Sequence, residues 1–344
     1  MKARWWTRQA ELAAGAERWD AGVRAAGGDN PYVLSTFLRA WSEAFADEDS
    51  LRMLVVEGED GAIVAGWPLV RQRRRHAGVG CWALRPLGLG FANLNEPFYR
   101  MKEEEFALVA AGALGERDDW DYVSLPLARA TWWEGAGWRW RRRAQGGAAR
   151  FILDRPADGR GLSPHMQANL RRCLRRAEEM GGARLERVGE AGQLQELIAF
   201  QLRHNGPQRY PPEREWGAAP ERWAEFTGTL LRRLHAAGQL DAMALRLGGE
   251  LAAVGFGFRH GPGYKSMLTS FDPRCGEAGP GLLLFHFLMD WCRKRGDPWI
   301  DMYAEAAHLD KRRWQPEVIP LHHGFIFAGN ARGRALFQMH RMRG

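Results

Sequence analysis

The chain reads as a mixed α/β fold, an α+β mixed sheet in which one unit is built twice, and three observations lead there. Residues 51–70 (LRMLVVEGEDGAIVAGWPLV) and 240–258 (LDAMALRLGGELAAVGFGF) share one pattern: an apolar run, a turn of Gly with acidic residues, then a second apolar run rich in Val, Ala and Gly. Each segment follows an amphipathic helix and is itself followed, some way on, by a helix and a strand opening on Trp or Asp, WDYVSLPL in the first and DPWIDMYA in the second. The 344 residues are 45% hydrophobic and 26% charged, which suits a globular chain long enough for two domains.

The elements follow in order. Asn30-Pro31 breaks the chain, and a helix is expected from Leu34 to Phe45 with Ser35 as its cap, because Phe37, Leu38, Trp41, Ala44 and Phe45 share a face. A hairpin over Leu51 to Arg71 turns at Glu59-Asp60-Gly61. A helix from Glu103 to Leu114 and a strand from Trp120 to Leu127 come next. Trp138 and Trp140 alternate with Arg139 and Arg141 at the period of a strand, and a hairpin turning at Gly146-Gly147 pairs them with Arg150 to Leu153. These tryptophans and arginines could stack bases and hold an RNA backbone; the alternation favours one face in the core. Residues 154–162, with Pro156, are the linker candidate. The expected domains are therefore 1–153 and 163–344.

Ser163-Pro164 opens the second copy, Ser at the cap and Pro at the first helical position. Leu170, Cys173, Leu174, Ala177 and Met180 form the apolar stripe of that helix. A strand (183–188), two helices (193–203 and 221–237), the hairpin, a strand (264–270), a Gly-rich loop, a helix (281–295) and a strand (299–303) complete the unit, and the tail from Glu317 carries one or two strands.

A formal net charge of +8 suits an anionic partner such as a phosphorylated cofactor, a nucleotide sugar, RNA or an acidic membrane surface. The four cysteines form no CxxC, and His322-His323 lacks further ligands at useful spacing, so neither a metal site nor a disulfide framework is expected. The N-terminal stretch has no apolar core of the signal-peptide kind, and the longest apolar run is too short to span a bilayer. A cytoplasmic protein without a transmembrane segment is the expectation.

Three stretches carry a resemblance: SPHMQANLRRCLRRAEEMGGARLE, the run from Gly248 to Gly296, and IDMYAEAAHLDKRRWQ. Together they resemble the acyl-transferring domain of the GNAT superfamily, in the Fem-like branch that carries two fused GNAT-type domains. The resemblance implies tandem GNAT-like domains, the first degenerate and the second an acyltransferase. It also implies attack of an amine on an activated acyl group, with acyl-CoA or aminoacyl-tRNA as co-substrate and no permanently bound cofactor.

Candidate site residues follow. GEAGPG (276–281) opens a helix whose N–H groups attract phosphate; Gly276, Gly279 and Gly281, with Arg274 supplying charge, are the donor-binding candidates. Gly276 stands where the superfamily's acyl-CoA signature has Gln or Arg, and Pro280 is an intrusion. Arg171, Arg172, Arg175 and Arg176 make a basic stripe, of which Arg172 and Arg176 are expected to hold phosphates of the donor or of RNA. Asp301, Tyr303 and Glu305 follow the strand that borders the acyl carbonyl in the superfamily, and are candidates for proton transfer. By the same resemblance Lys311 stabilises the oxyanion. Asn93, Asn95 and Glu96 in the first copy and Tyr264 in the second are candidates for contacting the acceptor.

The leading reading is an N-acyltransferase moving an acyl group from acyl-CoA to a small-molecule or peptide amine. The alternatives are an aminoacyl-tRNA-dependent ligase of the Fem-like type and a non-catalytic module that binds RNA or polysaccharide.

Overall fold

The computed structural model describes residues 1–76, 78–88, 91–92, 94–153, 162–204, 219–305 and 314–342; at 76, 143–145 and 303–305 the description is of the backbone alone. Two compact units result: Met1–Gly146 with Pro320–Gly344, and Gly147–Ile319.

Unit 1 opens with β1 (Lys2–Trp6), the helices α1 (Gln9–Ala14), α2 (Ala16–Ala25) and α3 (Ser35–Phe45), and the hairpin of β2 (Leu51–Glu57) and β3 (Ile63–His76). The hairpin turn sits where the acidic Gly cluster placed it, with Asp60 Oδ1 accepting from the Ala62 N–H at 3.0 Å. The expected cap, Ser35, is instead the first helical residue, and its N–H and hydroxyl both donate to Asp20. The basic run Arg71 to Arg75 continues β3, which pairs antiparallel with β4 (Val79–Pro86). After the short β5 (Phe98–Tyr99) comes α4 (Glu103–Gly115), whose face of Phe106, Ala107, Ala110, Ala113 and Leu114 is buried. β6 (Tyr122–Ala128) runs parallel to β4 through Ala83↔Tyr122 and Leu84↔Val123. Trp67, Phe106, Trp132 and Trp133 centre the core, with Trp138 and Trp140 packed partly against it, so the tryptophan cluster serves packing.

The expected hairpin at Gly146-Gly147 is absent. β7 (Arg139–Ile152) is one continuous strand; it passes through Gly146, whose φ of +117° is a conformation that favours glycine, and the division between units falls there.

Unit 2 repeats the scheme. α5 (Pro164–Glu179) is capped by Ser163, whose hydroxyl accepts from the Met166 N–H at 3.2 Å. Leu170, Cys173 and Ala177 are buried, whereas Met180, expected in the same stripe, is exposed beyond the last turn. β8 (Ala183–Val188), α6 (Ala191–His204), α7 (Pro220–Ala236), β9 (Leu240–Leu247), β10 (Glu250–Phe258) and β11 (Tyr264–Phe271) follow. α8 (Pro280–Arg295) then leads to β12 (Trp299–Glu305). The strand order is β7-β12-β11-β10-β9-β8. β11 and β12 are parallel through Tyr264↔Ile300 and Lys265↔Asp301, the counterpart of β4 and β6.

The chain ends with β13 (Glu317–Phe327) and α9 (Ala331–Met342), a helix that the sequence reading did not foresee. β13 pairs antiparallel with β6, and Phe327 and Leu336 pack on Cys81 and Tyr122. These contacts group residues from Pro320 onward with unit 1, although the sequence reading placed 163–344 in one domain. The linker candidate at 154–161 lies outside the described residues. Among the described residues no helix is long and apolar enough to cross a membrane.

Candidate active site

The site of unit 2 arises where two parallel strands part. β11 and β12 pair over two residues each, and from there α8 starts at the far end of β11. Between them lies a cavity of about 360 Å³, lined by Phe271 of β11, Met302 of β12, Phe151 of β7, Met166 and Asn169 of α5, Trp314, and the loop and first turns of α8 from Gly276 to Phe285.

The loop geometry follows from its composition. Asp272 accepts from the Arg274 N–H at 2.9 Å, which starts a 3₁₀ turn over Pro273–Ala278. Gly279 then caps α8 in the left-handed region (φ +62°, ψ 54°). A Cβ there would also lie 2.6 Å from Cys173 Sγ, so both backbone and packing require glycine. Pro280 takes the first helical position, where its missing N–H has no intrahelical partner to lose. The intrusion noted in the sequence is therefore a normal helix start. A Cβ on Gly281 would meet Phe271 at an ordinary 3.5 Å. Gly276, Gly279 and Gly281 all line the cavity; the N–H groups of Leu282 and Leu283 both donate to the Gly279 carbonyl at 3.0 Å, so the Gly281 N–H is the first-turn donor left to the cavity among the described residues.

Arg274 is otherwise engaged. Its guanidinium forks onto Asp272 (2.6–3.1 Å), and that hydrogen-bonded pairing holds the Asp272 carboxyl down to about 2. Arg172 and Arg176 stand exposed on α5 with Arg171 and Arg175. Arg172 donates to Asn169 Oδ1 at 2.8 Å, and Asn169 lines the cavity; Arg176 pairs with Glu179 at 3.1 Å and reaches Glu277 of the loop at 3.9 Å. The stripe thus flanks the cavity, joined to it through Asn169.

Asp301 departs from its expected role. It is 2% exposed, and both carboxylate oxygens accept from Arg150, at 2.7 and 2.8 Å. The Arg150 guanidinium also stacks over Trp299, 4.7 Å from the ring centroid. A carboxylate held in this fork is a structural partner. Lys265, beside Asp301 in the register, is fully buried and donates to the carbonyls of Pro262 and Gly263. Tyr264 is also fully buried, in the core, where burial pushes its hydroxyl well up; its ring lies against Gly257. This is the setting of a packing residue, not of an acceptor contact. Tyr303 and Glu305 lie on β12, described there by backbone alone, and Lys311 lies outside the described residues.

In unit 1, Asn93 lies outside the described residues. Asn95 is buried and donates to the Pro126 carbonyl at 3.1 Å, while its N–H donates to Leu127. Glu96 accepts from the N–H groups of Arg129 and Ala130 and pairs with the Arg129 side chain, which forks onto Asp29 as well. Burial lowers the Arg129 guanidinium, but Glu96 and Asp29 outweigh it and raise it overall. Asn95 and Glu96 therefore tie their loop to the strand end at residues 126–130, the role of anchors.

Sequence reasoning missed the cavity wall. Phe151, Met166, Phe285, Met302 and Trp314 carry no local mark that separates a cavity lining from a core. The partners Arg150 and Asp29 were missed because they are far from Asp301 and Arg129 in sequence.

Residues 164–312 match the family model described as the acetyltransferase (GNAT) domain. Among solved structures, FemX matches with a TM-score of 0.61 at 10% identity, over 98% of this chain and 99% of that one. L-PGS from Bacillus licheniformis matches with a TM-score of 0.55 at 16% identity (95% and 96% covered). The C-terminal domain (DUF2156) of a putative lysylphosphatidylglycerol synthetase from Agrobacterium fabrum matches with a TM-score of 0.53 at 15% identity (96% and 97% covered). Residues 164–312 thus match a GNAT domain, and the chain shares the fold of FemX along nearly its whole length. A search of curated proteins finds no matching sequence.

Proposed function

We propose that unit 2 is an N-acyltransferase that moves an acyl group from a coenzyme A thioester to an amine. The supporting observation is the cavity at the parting of β11 and β12, rimmed by the glycines that open α8. Diphosphate would sit at that helix start, where the Gly281 N–H and the positive dipole end meet it. The acyl carbonyl would enter the gap beside β12. The amine nitrogen attacks the carbonyl carbon, the C–N bond forms, the C–S bond breaks, and the amine proton passes to a base while the thiolate is protonated. Glu305 and Tyr303 are the proposed proton-transfer groups, and Lys311 the proposed partner of the oxyanion, all by resemblance. Asp301 has no part, since Arg150 holds both its oxygens.

A second reading keeps the site and changes the donor to an aminoacyl-tRNA. The exposed arginines of α5 favour it, since they lie beside the cavity through the bond from Arg172 to Asn169. Titration of coenzyme A and of tRNA across a salt series separates the two. The acyl-CoA reading expects coenzyme A binding that depends weakly on salt and survives Arg172→Ala/Arg176→Ala. A steep salt slope for tRNA that flattens in the double variant supports the second reading. Binding of neither would overturn both and leave a non-catalytic module.

A further inference from the structure

We infer that unit 1 holds a ligand site of its own, a cavity for a methylated ammonium ion that carries a hydroxyl or carbonyl oxygen. The cavity measures about 210 Å³ and lies wholly within unit 1, between the end of α2, the segment 28–33, β5 and the segment 129–132 that follows β6. Its walls combine carboxylates with aromatic rings. Asp29 and Glu96 supply two carboxylates, and Arg129 is the one cation among the described lining residues. Both carboxylates share that single guanidinium, so the wall keeps an excess of negative charge. A further carboxylate, Glu103, accepts from the hydroxyl of Tyr99, itself a wall residue. Burial, and after it Glu103 and Glu96, pushes the Tyr99 hydroxyl up. The rings are those of Phe98, Tyr99 and Trp132. Tyr99 is stacked on Phe106 by one face, at 5.0 Å and 16°, so its other face and its edge are what can meet the cavity. Trp132 is 3% exposed, and its indole N–H has no hydrogen-bond partner among the described residues.

These facts select among ligands. The Glu96 oxygens are already engaged: Oε1 accepts from the N–H groups of Arg129 and Ala130, and Oε2 from Nε and Nη2 of the Arg129 side chain. Asp29 holds Nη1 and Nη2 of the same guanidinium. A primary ammonium brings three N–H donors and would compete with Arg129 for acceptors. A methylated ammonium brings its charge without donors. It needs the negative field and the faces of aromatic rings, and this cavity supplies both. An anion meets the wrong sign of charge, and a neutral molecule leaves the excess charge uncompensated. A buried donor left unpaired is costly, so an oxygen on the ligand would satisfy the Trp132 N–H. A fully methylated ion has no N–H to acylate, so this ligand is not the amine that the proposed reaction consumes.

The test is a calorimetric titration of the full chain, at low ionic strength, with choline, tetramethylammonium, ethanolamine and dimethylbutanol, the neutral carbon isostere of choline. Choline should bind best and tetramethylammonium less well, for want of the oxygen. Ethanolamine and dimethylbutanol should bind at least about tenfold more weakly than choline. Tyr99→Phe keeps the ring and should keep the affinity, whereas Tyr99→Leu should weaken it about tenfold. Asp29→Asn leaves one lining carboxylate to one guanidinium and should weaken it by about the same factor. Trp132→Phe should erase the preference for choline over tetramethylammonium. Thermal unfolding of each variant reports its fold, and if Tyr99→Leu does not fold, Asp29→Asn carries the test. Dimethylbutanol or ethanolamine binding as tightly as choline, or no saturable binding of choline, would overturn the site. So would full affinity in a folded Asp29→Asn. Glycerophosphocholine separates the sources of the ion: binding at least as tight as that of choline assigns a lipid headgroup, and weaker binding assigns a free small molecule, the ammonium site standing in both cases.

Discussion

In unit 1 the parallel strands β4 and β6 meet through Leu84↔Val123; in unit 2 the same position of β11 and β12 holds Lys265↔Asp301. The helix that follows differs as well. α4 opens on Glu103, Glu104 and Glu105, with Glu105 accepting from the Lys102 N–H and Glu103 from the Tyr99 hydroxyl. α8 opens on Pro280 and Gly281 after a left-handed Gly279. Carboxylates in the first turn favour a helix through its dipole, but they occupy the end that an anion would need. One pairing scheme therefore supports two outcomes. Unit 1 places an apolar pair at its crossing and carboxylates at its helix start, and unit 2 places a buried polar pair at its crossing and Pro-Gly at its helix start.

The largest break in that comparison should come from Asp301→Ala. It removes the two acceptors that Asp301 offers to Arg150, whose side chain is only 17% exposed. Breaking a buried ion pair by removing one partner typically costs about 3 kcal/mol, readable as a fall in the urea midpoint; an unchanged midpoint would show the pair to be dispensable.

Gly279→Ala comes next. A left-handed backbone and a Cβ 2.6 Å from Cys173 Sγ should together lower stability by about 2 kcal/mol. Pairing it with Cys173→Ala should recover part of that loss by removing the contact, and no recovery would assign the whole effect to the backbone.

Smaller still is Glu104→Gln in α4. Removing one exposed first-turn carboxylate should weaken the helix by about 0.5 kcal/mol and leave donor binding untouched. A change in donor affinity would mean that unit 1 takes part in donor binding after all.

The smallest effect lies at low pH. Asp272, held to about 2 against an ordinary 3.8 chiefly by the Arg274 hydrogen bonds, contributes stability that is whole above 3.8 and is lost as the pH falls toward about 2. Arg274→Ala should move that acid limb to higher pH in thermal scans. An acid limb that stays in place would place the control of Asp272 elsewhere.

Both hairpins and the Gly-rich loop were legible in the sequence because their signals are local: alternation, turn residues, and Gly at a helix start. Ser163-Pro164 was legible for the same reason. What failed depended on distance along the chain. Glu96 and Asp301 looked like free carboxylates until Arg129 and Arg150 came into contact with them. Gly146-Gly147 looked like a turn, yet the two sides of that pair run on as one strand with different neighbours. The terminal helix, ARGRALFQMHRM, buries little beyond Gly333 and Leu336, which leaves a weak periodic signal. The cavity was invisible for a different reason: its aromatic and Met side chains read as core, and only the parting of two strands turns them into a wall.

The central claim is that the open helix start of α8 receives the donor. Gly281→Glu tests it by giving unit 2 the acidic opening of unit 1. A side chain is sterically admissible there, since a Cβ meets only Phe271 at 3.5 Å or more, and Glu in a first turn does not disfavour the helix. Calorimetric titration of coenzyme A should show binding to the wild type and at least about a tenfold loss in Gly281→Glu, with the thermal unfolding curve unmoved. Equal affinity in the two proteins, or no binding by either, would contradict the account.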